Sequence, residues 1–195
     1  MRVEPVTLEG RDVRLEPLTL AHHAALCGVG LDEELWRFTT SIVRTPDEMR
    51  TYIESAVQAQ VAGTALPFAT ISKAEGRVVG STRFGNISRG DRRVEIGWTW
   101  LGLAHQRTSL NTEAKYLMLS HAFEVLGCIR VELKTDVLNE RSRAAILRIG
   151  ATEEGILRRH MITASGRVRD TVYYSILDHE WPRVKARLAE RLARL

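Results

Sequence analysis

No stretch of the chain approaches the run of about 18 apolar residues that a membrane-spanning helix requires. The opening segment, MRVEPVTLEGRDVRLEPL, is too polar for a secretory signal, so a cytoplasmic location is expected. Cysteine is nearly absent: Cys27 and Cys128 lie far apart and make neither a disulfide framework nor a metal-ligand pair. Cys128 enters a strand, where it reads as a small buried hydrophobe; a nucleophilic role would need a histidine base close in space. The six histidines include no HExxH or comparable spacing, so no metal site is expected. Five prolines and 14 glycines in 195 residues exclude a collagen-like or linker-like composition. Long blocks of one charge are missing too. The net charge is only +4 although the pI is 9.4, so a nucleic-acid partner is not expected from charge.

What is present is an ordinary globular composition, 44% apolar and 27% charged, sized for one domain over residues 1–195. A chain of this length buries roughly 70% of its unfolded surface. Alternation over Val13–Leu18 predicts a short first strand. Thr19 is placed to cap a helix through Cys27, with Gly28 and Gly30 stopping it, and a second short helix is predicted over Asp32–Phe38. Thr45-Pro46-Asp47-Glu48 is a strong start signal, with a threonine cap, proline at the first helical position and a reciprocal glutamate. That helix is predicted to reach about Ala62 and end at Gly63. Phe68–Ser72, Val78–Phe84 and Arg93–Leu101 then read as an antiparallel meander. Strand Ile129–Val137 follows a helix, Glu154–Ile162 and Val168–Leu177 form a hairpin, and Asp178 is predicted to cap a final helix. The class is α+β, around one mixed sheet.

The stretch from Glu95 to Gly150 organises the rest. It runs strand, loop, helix, strand, helix, with the polar segment Gln106–Asn111 at the first strand-to-helix turn. Leu110, Ala114, Leu117, Met118, His121, Ala122 and Val125 recur at helical spacing and are expected to lie on the sheet. Unpaired amides and the dipole at such a helix start favour a diphosphate, with Arg107 as counter-charge. Thr108, Ser109 and Asn111 are each able to cap, and an ordinary capped start would satisfy the same residues. Glu113, in the first turn, competes for the positive potential.

The segments VEIGWTWL, AHQRTSLNTEAKYLMLSHAFEVLGCIRVELKTDVLNERSRAAILRIGA, EGILRRHM and GRVRDTVYYSIL together resemble the GNAT N-acetyltransferases, nearest to their ribosomal-protein N-terminal acetyltransferase branch. The resemblance implies a mixed, mostly antiparallel sheet of about six or seven strands flanked by helices. It also implies acetyl-CoA as cosubstrate, held by Gln106, Arg107, Thr108, Ser109, Leu110, Asn111 and Thr112. Backbone groups of Trp100 and Leu101 and the side chain of Asn139 would hold the pantetheine arm. In the family's Gln/Arg-x-x-Gly-x-Gly/Ala loop, Gln106 matches, whereas Ser109 and Asn111 stand where small residues are usual. Asn139-x-x-Ser142 matches the family's second landmark, placing Ser142 near the thioester sulfur. Ile146 occupies the position where many relatives carry a tyrosine acid.

Amine attack on a thioester needs a neutral amine and a protonated leaving thiolate. Glu95 is the candidate base and Ser142 the candidate acid. Glu95 reads equally well as a strand residue on a solvated face. Arg169, His160 and Tyr173, on the late hairpin, are candidates to line the acceptor pocket, with hairpin packing the more ordinary role for any one of them. The resemblance implies a small-molecule or protein N-terminal amine as acceptor and RNA contact only through a ribosomal acceptor; whether a homodimer forms is open, with hairpin edges and Trp181 as the surfaces able to pair two copies. A coenzyme-binding or protein-interaction module that has lost catalysis is the alternative.

Overall fold

A computed structural model describes residues 1–194. The elements in chain order are β1 (Leu8–Glu9), β2 (Val13–Pro17), α1 (His23–Gly30), α2 (Pro46–Val61), β3 (Leu66–Ser72), β4 (Arg77–Ser88) and β5 (Arg93–Leu101). They continue with α3 (Leu110–Ser120), β6 (Arg130–Asp136), α4 (Glu140–Arg148), β7 (Thr152–Ile162), β8 (Val168–Leu177) and α5 (Trp181–Ala193). The strands form one mixed sheet of eight in the order β1-β2-β3-β4-β5-β6-β8-β7. Its additional member relative to the sequence pattern is the two-residue β1, too short to show alternation.

Apolar residues on the two sides of the sheet make two cores. Leu26, Met49, Tyr52, Ile53 and Ala56 seat α1 and α2 against Ala69, Ile71, Val78 and Trp100 on one face. Leu110, Ala114, Met118, Ile146, Val184 and Leu188 seat α3, α4 and α5 against Phe84, Val94, Ile96 and Val131 on the other. Helix α2 starts as the Thr45 signal requires: Thr45 Oγ1 accepts from the Glu48 amide at 3.2 Å and Glu48 Oε2 accepts from the Thr45 amide at 3.1 Å.

Several local expectations are corrected. Glu33–Leu35 makes a single 3-10 turn instead of a helix over Asp32–Phe38. Helix α1 passes through Gly28 to Gly30 after a 3-10 turn at Leu20–His22. Asp178 spends its carboxylate on the neighbouring His179 amide, and α5 begins later, at Trp181. Trp181 is unavailable for dimerisation, being only 5% exposed and stacked on Phe123. Val125 leaves the α3 stripe and is 70% exposed, whereas Leu126 is buried. The cause is a π-helical turn at His121–Val125, which widens the repeat and rotates the following residues out of phase.

Glu113 is also corrected. Its carboxylate accepts the amides of Arg11, Asp12 and Val13 at 2.7, 2.8 and 2.8 Å and none of the amides at the start of α3. A Cβ at Gly10 would lie 2.7 Å from this carboxyl carbon, so the turn closes around it. Glu113 thus ties the β1–β2 connection to α3 instead of repelling a bound anion. Glu113→Ala would leave three amides without an acceptor, and a loss of about 3 kcal/mol is expected in urea unfolding. A change below about 0.5 kcal/mol would show that solvent replaces the carboxylate.

Candidate active site

The only parallel strand pair among the described residues, β5 with β6, is matched at just Arg93–Arg130, Val94–Val131 and Glu95–Glu132. Beyond Glu95 the two strands separate. The separation coincides with a β-bulge, where Trp100, Thr99, Trp98 and Gly97 on β5 span Ser81 to Arg83 on β4, and Trp98 adopts φ +49°. The gap forms a cavity of about 340 Å³.

Helix α3 starts at one end of this cavity. None of the three potential caps closes it. Thr108 Oγ1 donates to His105 O at 2.8 Å, Ser109 Oγ donates to Asp12 Oδ2 at 3.2 Å, and Asn111 Oδ1 is buried without a partner. The amides of Arg107, Thr108, Ser109, Asn111 and Thr112 have no acceptor among the described residues. Only the Leu110 amide meets a side chain, Thr108 Oγ1, at a long 3.4 Å. The tight turn rests on Arg107, whose φ is +64°. Ser109, at φ −65°, has a conformation that any residue adopts, so the missing glycine costs the backbone nothing there. Gln106 braces the loop: Nε2 donates to Leu101 O at 3.1 Å, and Oε1 accepts from Arg141 of α4 at 2.8 Å.

Glu95 stands farther along. It is 3% exposed, which removes the solvated-face reading. Its Oε2 accepts from Asn86 Nδ2 at 2.6 Å and pairs with Lys134 Nζ at 2.9 Å. Oε1 has no hydrogen-bond partner among the described residues, and Glu95 lines the cavity. Gly97 makes room for it, since a Cβ there would sit 2.8 Å from Oε1. Across the gap, Asn139 Oδ1 caps α4 by accepting the Ser142 amide at 3.0 Å. The half-buried Ser142 hydroxyl makes no hydrogen bond within the described residues.

The cavity therefore brings together Glu95, Trp100, Leu101, Gln106, Arg107 and Thr108, and with them Asn111, Thr112, Asn139 and Ser142. Ser109 and Leu110 are not among its lining side chains: one is bound to Asp12 and the other is buried in the core. Of the hairpin residues, Arg169 lines it, while His160 packs edge-on against Tyr173 outside it. Ile146 is buried in the wall. Burial pushes the Cys128 thiol up to about 11 and raises that of Cys27, so neither is an activated nucleophile.

Two basic residues escaped the sequence reading. Lys134, opposite Glu95, lies on β6. Lys115, on α3, is 6% exposed and lines the cavity, donating to Thr99 Oγ1 at 2.6 Å and Thr82 Oγ1 at 3.3 Å. It has no carboxylate partner among the described residues, and burial drops its ammonium from 10.5 to about 7. The sequence signal was its spacing: Lys115 is four residues after Asn111 and next to the buried Ala114.

Residues 12–152 match the family model described as an acetyltransferase (GNAT) domain. Over 107 residues the chain is 36% identical to YdaF of Bacillus subtilis (strain 168), named as a candidate ribosomal N-acetyltransferase. That match spans 55% of this chain and 57% of YdaF, little more than half of either. A T. thermophilus structure described as an acetyltransferase superposes with a TM-score of 0.90 at 38% identity, covering 98% of this chain and all of that one. Mycobacterium smegmatis RimJ, solved with CoA-disulfide, superposes with a TM-score of 0.82 at 25% identity, covering 96% of this chain and 95% of RimJ. Family match, sheet order and full-length superposition agree, and the chain belongs to the GNAT acetyltransferase family.

Proposed function

We propose that the chain transfers an acetyl group from acetyl-CoA to a primary amine by direct attack with both substrates bound. The observation that carries this reading is the one cavity that joins Arg107, Thr108, Asn111 and Thr112, whose amides are unpaired at the start of α3, to Glu95, whose Oε1 has no partner among the described residues. Coenzyme A fits the residues present: unpaired amides and a helix N-terminus favour its diphosphate, and exposed Arg107 adds charge. When bound, it supplies the acetyl group as an activated thioester. The chain's own residues do the rest. The splayed end of β5, at Trp100 and Leu101, orients the pantetheine arm, and Asn139 keeps an amide nitrogen for it while its oxygen caps α4. Glu95 Oε1 accepts the proton of the incoming amine, directly or through water, while Lys134 and Asn86 fix the other oxygen. Ser142 Oγ is the proton donor on the opposite wall.

Trp36, Phe38, Tyr52 and Trp98 line the acceptor side of the cavity with Thr39 and Thr40. A terminal α-amine titrates near 7.7–8.0 and a lysine near 10.4, so a single carboxylate serves a protein N-terminus more readily than a lysine side chain. The naming of YdaF supports a ribosomal protein as that acceptor, and hence action in the cytoplasm, with small amines as the other class. The edge strand β7 is exposed along nearly its whole length, which supports a homodimer.

Ile146 in place of a tyrosine favours a second reading, a coenzyme-binding module without turnover. Titration calorimetry with acetyl-CoA, followed by free-thiol release across N-terminal peptides and small amines, separates the two. Binding with thiol release is the expected result. Binding without release for any amine supports the module, and no binding at millimolar ligand removes both.

A further inference from the structure

We propose that Lys115 is the buried counter-charge for the coenzyme's diphosphate and that it gains a proton when the coenzyme binds. The inference rests on the acetyl-CoA reading above. Lys115 lies one turn below Asn111, about 6 Å along the helix axis. Lys115 lines the same cavity as Arg107, Thr108, Asn111 and Thr112, and its amine meets Thr82, whose hydroxyl also contacts Met118 Sδ at 3.6 Å. The amine is held in place by Thr99 on β5 and Thr82 on β4, whose hydroxyls also bond each other at 2.7 Å.

What the Lys115 amine lacks is an anionic partner: the carboxylate at the mouth of α3, Asp12, is taken by Arg11 and Ser109. On α3 itself, Asn111 and Met118 are neutral, and Glu113 is committed to the amides of residues 11–13. From β4 and β5 only the two threonine hydroxyls reach Lys115. Across the cavity Glu95 is already paired with Lys134, and α4 presents the cations Arg141 and Arg148. Burial alone therefore sets the amine's basicity, at about 7. A buried ammonium with no partner is costly, and a doubly charged diphosphate at the mouth of α3 is the partner the cavity is built to receive. Binding raises the amine above its free value. Affinity is then greatest at and below pH 7 and falls as pH rises through the bound-state value.

The test is calorimetry at about pH 8 with acetyl-CoA and with 3′-dephospho-coenzyme A, each in two buffers of different ionisation enthalpy. The dephospho form removes the only other phosphate able to take a proton in this range. The expected result is uptake of up to about one proton for both ligands. Lys115→Met should abolish the uptake and weaken binding about tenfold at pH 7. Binding by the unmodified chain with no dependence of heat on buffer overturns the proposal and leaves the acetyl-CoA reading standing. Absence of binding overturns both. The heats of the unmodified chain decide the matter whether or not the variant folds.

Discussion

Glu95→Gln is expected to lower turnover by about 10²–10⁴-fold while leaving the KM for acetyl-CoA nearly unchanged. The carboxylate stands at the far end of the cavity from the α3 amides, and Oε1 is the one oxygen that Asn86 and Lys134 leave open. Glutamine preserves the shape beside Gly97 but cannot accept a proton. The variant's rate should therefore climb with pH until the acceptor amine deprotonates on its own, near 7.7–8.0 for a protein N-terminus. Thiol-release kinetics from about pH 6 to about pH 9.5 bracket that value and supply the measurement. Unchanged turnover would reject Glu95 as base and favour the module reading. A flat deficit at every pH would assign Glu95 to structure, since losing the partner of Lys134 is independent of the amine's ionisation.

Lys115→Met is expected to make the ligand-free protein more stable at neutral pH. The lysine titrates near 10.4 when unfolded and about 7 when folded, so the fold disfavours its charged form. The sign follows from that depression. The penalty is absent above pH 10.4, accumulates as pH falls, and is complete below about 7. Each unit of depression corresponds to about 1.4 kcal/mol, giving roughly 3–5 kcal/mol recovered at pH 7. For a chain of this size that is a Tm rise of about 10 °C. Thermal unfolding at pH 6, 7, 8.5 and 10 should show the gain shrinking toward zero at the alkaline end. An equal gain at every pH would trace it to packing alone. Together with weaker coenzyme binding, the result would mark Lys115 as a group kept for function at the expense of stability.

Element order was legible because it depends on local signals. The Thr45–Glu48 capping box, the first turns of the α3 stripe and the strand signals of β4 and β5 each act within a few residues; the box and β5 appear where the pattern places them, and β4 runs on from Phe84 to Ser88. The loop at Gln106–Asn111 and the Asn139 cap were legible for the same reason. What escaped was set by long-range geometry. Glu113 looked like a competitor for the helix start because its partners, the amides of residues 11–13, are about a hundred positions away in sequence. Lys115 passed unremarked because only the folded sheet brings Thr82 and Thr99 against it. Val125 was misplaced because one π-turn shifts a periodicity that the sequence cannot signal. Glu95 could not be assigned to a face until the bulge at Trp98 and the pairing with Lys134 were visible.

Matching over three residue pairs makes β5–β6 the thinnest seam in the interior of the sheet; only the edge pair β1–β2, with two, is shorter. The sheet thus divides at this seam into β1 through β5 on one side and β6, β8 and β7 on the other, joined by one shared core beneath them. Whatever fills the gap beyond Glu95 presses on both sides at once and does the fastening that missing rungs leave undone. Occupancy and cohesion of the fold are then one quantity, so ligand concentration sets how firmly the halves are held together.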